Sequence, residues 1–362
     1  MRTCCKGWGI WIDSSTAERY LSLEGEFGDE LRANIVKGDD DKYYFKLKEN
    51  FCCPFLDENQ LCRVYQNLEG HDALCFTCQI YPRGQVTVGD LVLSYLGMSC
   101  PEAGRLLLQK EEPLEFCFSE DDIPPEEELD WEKFNVALKS MIAIIYILQN
   151  RNLSMSKRLT AIYLFQSHLQ ATTSSGENPK ELLELFSDYE QWSLVVSGML
   201  EVESHLQEKV DYIALIANSL DGYYIGPSLD KMLALYRANR EEIYRRLSEE
   251  SLSFDLKLTK EEEREYEHFL VYLFFRHYMK EAVKEDYMKC TLNILASFLV
   301  FVGMKTCGEI ISGEKNDLEK NCILIADVSR CIEHYKDGMN IFYTVLTEGN
   351  MSDLSSMMKL WS

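Results

Sequence analysis

The sequence predicts a mainly α protein, with a small cysteine-rich α+β domain at the N-terminus followed by an all-α helical domain. Three observations predict this. Nine of the 13 cysteines fall within the first 117 residues. An acidic stretch containing Pro124 and Pro125 follows them. Beyond it, apolar residues recur three and four apart, the spacing of a buried helix face. The expected division is a cysteine-rich domain over 1–118, an acidic linker over 119–130 and an all-helical domain over 131–362.

Each element has a local reason. Tyr43 to Leu47 reads as a short strand after the polar turn around Gly38, Asp39 and Asp40. Val86–Val88 and Leu91–Leu93 flank Gly89-Asp90, a two-residue hairpin signal. Arg105 to Gln109 continues a short helix begun near Pro101. Past the linker, Phe134, Leu138, Met141, Ile145 and Leu148 mark one buried helical stripe. Asn178-Pro179 reads as a helix start, with an N-cap side chain and proline at the first helical position. Thr259 and Glu262 have capping-box spacing, ahead of Tyr266, Phe269, Leu270, Leu273 and Phe274 on one face. No repeat of fixed period is present.

Charge narrows the functions. The 362 residues carry 60 acidic and 37 basic side chains, a net charge of −23. Gripping nucleic-acid phosphates or anionic lipid needs a basic face, so neither is an expected partner. A cationic partner such as a lysine-bearing protein suits the surface, and so does plain solubility. No apolar stretch follows the basic start, so no secretory signal is expected. The most apolar run, 294–304, falls short of the roughly 20 residues that cross a bilayer and reads as a buried helix. The expected compartment is the cytoplasm, where thiols stay reduced.

The N-terminal cysteines are Cys4, Cys5, Cys52, Cys53, Cys62, Cys75, Cys78, Cys100 and Cys117; the isolated Cys290, Cys307, Cys322 and Cys331 read as small buried apolar residues. A disulfide scaffold fits poorly with an odd count and a reducing compartment. Structural zinc usually takes two tight knuckles, and only Cys75-Phe-Thr-Cys78 has that form. An iron–sulfur cluster accepts more scattered thiolates, and proline follows both Cys53 and Cys100, as in known cluster-binding runs. Spacing alone points to a metal and leaves its identity open between iron–sulfur and zinc.

Four blocks carry a resemblance: Cys-Cys-Lys-Gly-Trp from Cys4; Cys-Pro-Phe-Leu-Asp-Glu-Asn-Gln-Leu-Cys-Arg-Val from Cys53; Leu-Cys-Phe-Thr-Cys-Gln-Ile-Tyr-Pro-Arg from Leu74; and Ser-Cys-Pro-Glu-Ala-Gly-Arg from Ser99. Over residues 4–108, and more loosely around His268–Arg276, the chain resembles the flagellin lysine-N-methylase family, which is related to cysteine-rich zinc- or iron-chelating domains. The resemblance implies a bacterial protein-lysine N-methyltransferase that acts on flagellin with S-adenosylmethionine and a [4Fe–4S] cluster. Mapped onto this chain, it implies Cys5, Cys53, Cys62, Cys78 and Cys100 as metal ligands, with Cys4, Cys52 and Cys75 secondary. Family members carry at least one more cysteine ahead of the first block, where three residues stand here; if that cysteine is a ligand, this chain is expected to be a late-start fragment or a degenerate copy. The alternative function is a non-catalytic iron- or zinc-binding protein.

Arg83 and Glu102 lie beside motif cysteines and are the candidate cofactor-binding residues, with a loop-orienting charge role as the plain alternative. Trp8 and Trp11 read as packing residues, and Asp13 and Tyr81 as further neighbours of the thiols. Catalytic residues are not assigned. No Gly-x-Gly-x-x-Gly loop marks a nucleotide site, and His71 stands where a radical-type Cys-x3-Cys-x2-Cys motif needs cysteine. Glu265-x-x-His268 lacks the second copy that a di-iron site needs.

Overall fold

The computed structural model describes residues 5–68, 70–117, 129–188, 191–194, 198, 205–221, 226–248, 258–335 and 337–362. Cys4 and residues 119–128 of the expected linker lie outside the described residues. The mainly α expectation holds, with a small α+β region at the N-terminus.

That region opens with β1 (Trp11–Ile12), α1 (Ser14–Ser22), α2 (Glu26–Ala33), β2 (Ile35–Lys37) and β3 (Tyr43–Phe45). The strands form an antiparallel sheet of order β1-β3-β2, with Tyr44 opposite both Trp11 and Val36. Alternation follows: Ile10, Ile12 and Phe45 are buried, while Trp11 and Val36 face solvent. The strand expected to reach Leu47 ends at Phe45, because its partner β2 starts at Ile35; Lys46 N bonds Asn34 O (2.8 Å), which already belongs to the end of α2. Two short helices follow, α3 (Arg63–Asn67) and α4 (Phe76–Ile80).

The expected hairpin forms as β4 (Arg83–Val88) and β5 (Leu91–Leu96), with Gly89 supplying the positive φ (57°) its turn requires. α5 (Pro101–Leu108) carries proline in its first turn. The buried residues Val88, Leu93, Met98, Ala103 and Leu108 join the core of the helical unit, not that of the sheet. The packing seam therefore falls near Tyr81, within the span that the sequence groups as one domain. The hairpin's apolar face needs a large surface, and only the helical unit supplies it.

The helical unit wraps the helix Tyr287–Ser312. Its neighbours are Met155–Ser174, Leu206–Ser219, Pro227–Ser248, Lys260–Ala282, Leu318–Glu333 and Gly338–Glu348. A helix apolar on all sides belongs at a centre. At 26 residues it extends past the 294–304 run and is long and apolar enough to cross a membrane, yet 89% of its most apolar stretch is buried inside the molecule. The capping box at Thr259 and Glu262 is formed. Asn178 Oδ1 accepts Lys180 N (2.9 Å), but Pro179 precedes the helix Lys180–Ser187 instead of opening it. Cys290, Cys307, Cys322 and Cys331 are buried, as small apolar residues would be.

His277 gives the unit a pH dependence. Its Nε2 is buried without a hydrogen-bond partner among the described residues, and burial, aided by Arg276, depresses its pKa to about 3. The unfolded chain binds this proton below about 6.5 while the folded chain refuses it until about 3. Stability therefore falls on acidification through that window, by up to about 1.4 kcal/mol per pH unit for one such group. Urea midpoints measured from pH 7 to pH 4.5 should fall more steeply for the wild type than for His277→Gln.

Candidate metal centre

The core under the sheet is where the cysteines meet. Cys53 and Cys75 are buried among Ile10, Ile12, Tyr20, Phe45, Phe55 and Val64, and Cys5, Cys62 and Cys78 are packed against the same cluster. Four chain segments bring them there. The strand-like stretch at Cys5 pairs with that at Cys53: Cys53 N donates to Cys5 O (2.8 Å) and Gly7 N to Phe51 O (2.9 Å). Cys62 is held by a bridge to Leu56 and by Arg63 N bonding Phe55 O (2.9 Å). Cys75 and Cys78 sit on either side of the first turn of α4, and Cys75 Sγ reaches Trp11 O (3.6 Å). Asp13 staples that turn, accepting Phe76 N (2.8 Å) while it caps α1 through Thr16 N (3.0 Å). Burial opposes ionisation of this carboxyl, but the hydrogen bonds from Phe76, Ser15 and Thr16 outweigh it and hold its pKa well below the usual range.

A shared hydrogen bond sets the chemistry of Cys75 and Cys78, and burial that of Cys53. Burial pushes the Cys53 pKa up to about 12. Cys75 and Cys78 share a hydrogen bond that favours the thiolate on Cys75 and, with burial, holds Cys78 well above the ordinary thiol range. Several thiolates in one apolar nest are costly unless a cation shares it. The donor set (five thiols packed in one apolar cluster) therefore fits a thiophilic metal or cluster. Among the described residues no group of three or more His, Cys, Asp or Glu side chains is placed to hold a metal ion. A ready-made zinc site would put four sulfurs about 2.3 Å from one point. A multi-iron cluster spreads its thiolates more widely, one to each iron.

The other residues singled out by sequence lie elsewhere. Cys100 stands at the N-terminus of α5 and packs on the helical core. Cys52 is turned away by the alternation that sends Cys53 inward, and its Sγ faces Asn50 O (3.7 Å). Glu102 pairs with Arg105 (2.7 Å) on the half-exposed side of α5, the loop-orienting alternative. Arg83 is exposed at the start of β4. Trp11 keeps 36% of its surface exposed, more than a packing residue would. Glu265 bonds Asn321 (2.7 Å) and His268 bonds Leu107 O (2.9 Å), so both serve packing. Cys75, ranked second by sequence, stands with the first-rank thiols.

Comparison with known proteins adds a family. The FliB lysine N-methylase C-terminal domain matches residues 142–360. The flagellar biosynthetic protein FliU of Salmonella muenchen is 36% identical over 110 residues, covering 29% of this chain and 64% of that protein. The lysine-N-methylase of Salmonella typhimurium is 33% identical over 110 residues, covering 29% of this chain and 27% of that protein, and that of Salmonella choleraesuis gives the same figures. The matched part thus spans less than two thirds of each relative's length. No solved structure matches.

Proposed function

The chain belongs to the FliB lysine N-methylase C-terminal domain family, and from that premise we propose that it methylates lysine side chains of flagellin in the cytoplasm, with S-adenosylmethionine as methyl donor and a [4Fe–4S] cluster in the thiol nest. The observation that carries this reading is the family match over 142–360, joined to five thiols gathered in one apolar core. Cys5, Cys53, Cys62, Cys75 and Cys78 are the residues that would hold the cluster, four of them at a time. Bound there, such a cluster supplies a redox-active, charge-neutralising centre. Methyl transfer joins the methyl group to the lysine nitrogen, breaks its bond to sulfur and releases one proton from the ammonium. The amine must be neutral to attack, so acceptor lysines need local burial or a neighbouring cation. The acidic surface attracts lysine-bearing segments at the encounter stage.

The test pairs chemistry with composition. Protein purified without oxygen should carry iron and acid-labile sulfide in equal amounts, about four of each per chain for one such cluster. It should transfer label from S-adenosylmethionine to flagellin lysines. One zinc without sulfide would replace the cluster by a zinc site. Full iron and sulfide with no label on lysine would leave a non-catalytic metal protein and overturn the methylation.

A further inference from the structure

A second group of residues that met in the fold remains unused. Trp8 lies three residues after Cys5, and Tyr81 three residues after Cys78. Both leave the thiol nest and meet the C-terminal end of the helix Leu318–Glu333. The Trp8 ring stacks on His334 at 4.8 Å between centroids and 15° between planes, and it lies 5.3 Å from Tyr81. Beside this slab, the Glu333 side chain is only 1% exposed and accepts from Arg276 Nη1 (2.6 Å) and Tyr272 Oη (2.7 Å). Arg330 donates to Ser99 O (2.8 Å) and to Asp327 Oδ1 (3.0 Å).

Two polar atoms in this seam are unsatisfied. His334 Nε2 and Arg330 Nε are buried and have no hydrogen-bond partner among the described residues. A buried polar atom without a partner costs about 1–3 kcal/mol, so two on residues one helical turn apart point to a missing partner. Trp8, Tyr81 and His334 are each only half-buried, so a ligand can reach them from solvent. Burial holds the His334 pKa down at about 4, so the ring is neutral at pH 7.

We infer that this seam between the cysteine-rich and helical units binds the adenosyl sulfonium methyl donor, with Trp8, Tyr81 and His334 receiving the purine and Arg330 and Glu333 facing its amino-acid and sulfonium charges. The inference rests on the proposed methyltransferase reading and adds a location to it. A purine offers a π face for the indole and imidazole planes and a polar edge for His334 Nε2. A carboxylate suits Arg330 Nε, the guanidinium atom left without a partner. A sulfonium is a soft cation, and aromatic faces beside a carboxylate attract it. The seam's own charges, Glu333 with Arg276 and Asp327 with Arg330, are paired, which suits a zwitterionic ligand better than a simple anion.

Equilibrium dialysis of labelled S-adenosylmethionine against the full chain, purified without oxygen, tests the placement. Trp8→Ala and His334→Ala should each weaken binding at least about tenfold, the loss of one good stacking or hydrogen-bonding partner. Trp131→Ala, at an exposed indole of the helical unit, should bind as the wild type does. Ultraviolet cross-linking of the labelled donor to the wild-type chain should mark the peptides containing Trp8, Tyr81 or His334, and this readout survives if a variant fails to fold. Wild-type affinity in both variants, or label confined to other peptides, overturns the location alone. No binding by the wild type overturns the location and the methyl-donor reading together.

Discussion

Cys53→Ser combined with Cys62→Ser is expected to empty the thiol nest and unfold the N-terminal unit well before the helical one. Cys53 is 5% exposed and Cys62 packs on the same cluster, so both thiols point into one core and not toward solvent. With two of five donors gone, fewer than four remain, and neither a [4Fe–4S] cluster nor a four-cysteine zinc site can be completed. Metal binding contributes on the order of 10 kcal/mol to small structural sites, so a loss of several kcal/mol from this unit is expected. Serine also places two hydroxyls among Ile12, Phe45 and Phe55. The Cys53→Ala/Cys62→Ala pair separates the two effects, since alanine removes the ligands without adding polarity. Both pairs should lose iron and sulfide and lower the first unfolding transition, and Cys100→Ser should change neither, because Cys100 packs on the other core. Metal content unchanged in both pairs would remove the nest as the metal site.

Sequence and structure agree best where the signal is local. The hairpin around Gly89-Asp90, the capping box at Thr259 and the buried run 294–304 each depend on residues within one or two turns of one another, and each forms. The gathering of Cys5, Cys53, Cys62 and Cys78 was legible only through block order, since no spacing rule brings together segments nearly fifty residues apart. Cys75, secondary by resemblance, packs on the same core as Cys78 because the first turn of α4 presents both. Cys100 was legible as a motif cysteine but not as a resident of the other core. That assignment depends on the hairpin β4–β5 turning its apolar face to the helices, a tertiary choice no local pattern encodes. Glu333 and His334 carried no signal of their own. Asp327, Arg330 and Glu333 recur every third residue along the largely apolar stretch 322–333, and that polar stripe was the one available hint.

Long-range hydrogen bonds tie down the region around the C-terminal end of the helix Leu318–Glu333. Arg330 reaches back to Ser99 O, Tyr335 Oη to Gly7 O (3.3 Å), and Tyr272 Oη accepts Met98 N (3.2 Å). The bond from Tyr335 to Gly7, two residues after Cys5, crosses the seam, while Ser99 and Met98 lie beside Cys100 on the helical side.

Glu267→Ala should be the most damaging single change in the helical unit. The Glu267 side chain is fully buried and accepts from two arginines: Arg151 Nε and Nη2 (both 2.9 Å) and Arg158 Nη1 (3.1 Å). Arg158 is itself 1% exposed and also donates to Leu148 O (2.9 Å) and Leu153 O (2.8 Å), so it fastens the turn between the helices Trp131–Leu148 and Met155–Ser174. Burial lowers the Arg158 pKa, and the Glu267 charge is the first of the effects that oppose it. Removing the carboxylate leaves a buried guanidinium whose charge is no longer matched, and breaking such a pair costs about 3–5 kcal/mol. Arg151 can swing to solvent, being about one third exposed, but Arg158 cannot. Glu267→Gln keeps the shape and one acceptor and should cost less than alanine, with the order of urea midpoints wild type, glutamine, alanine. A midpoint for Glu267→Ala within error of the wild type would mean that water or a neighbouring carboxylate such as Glu263, 3.8 Å from Arg158, takes over the charge.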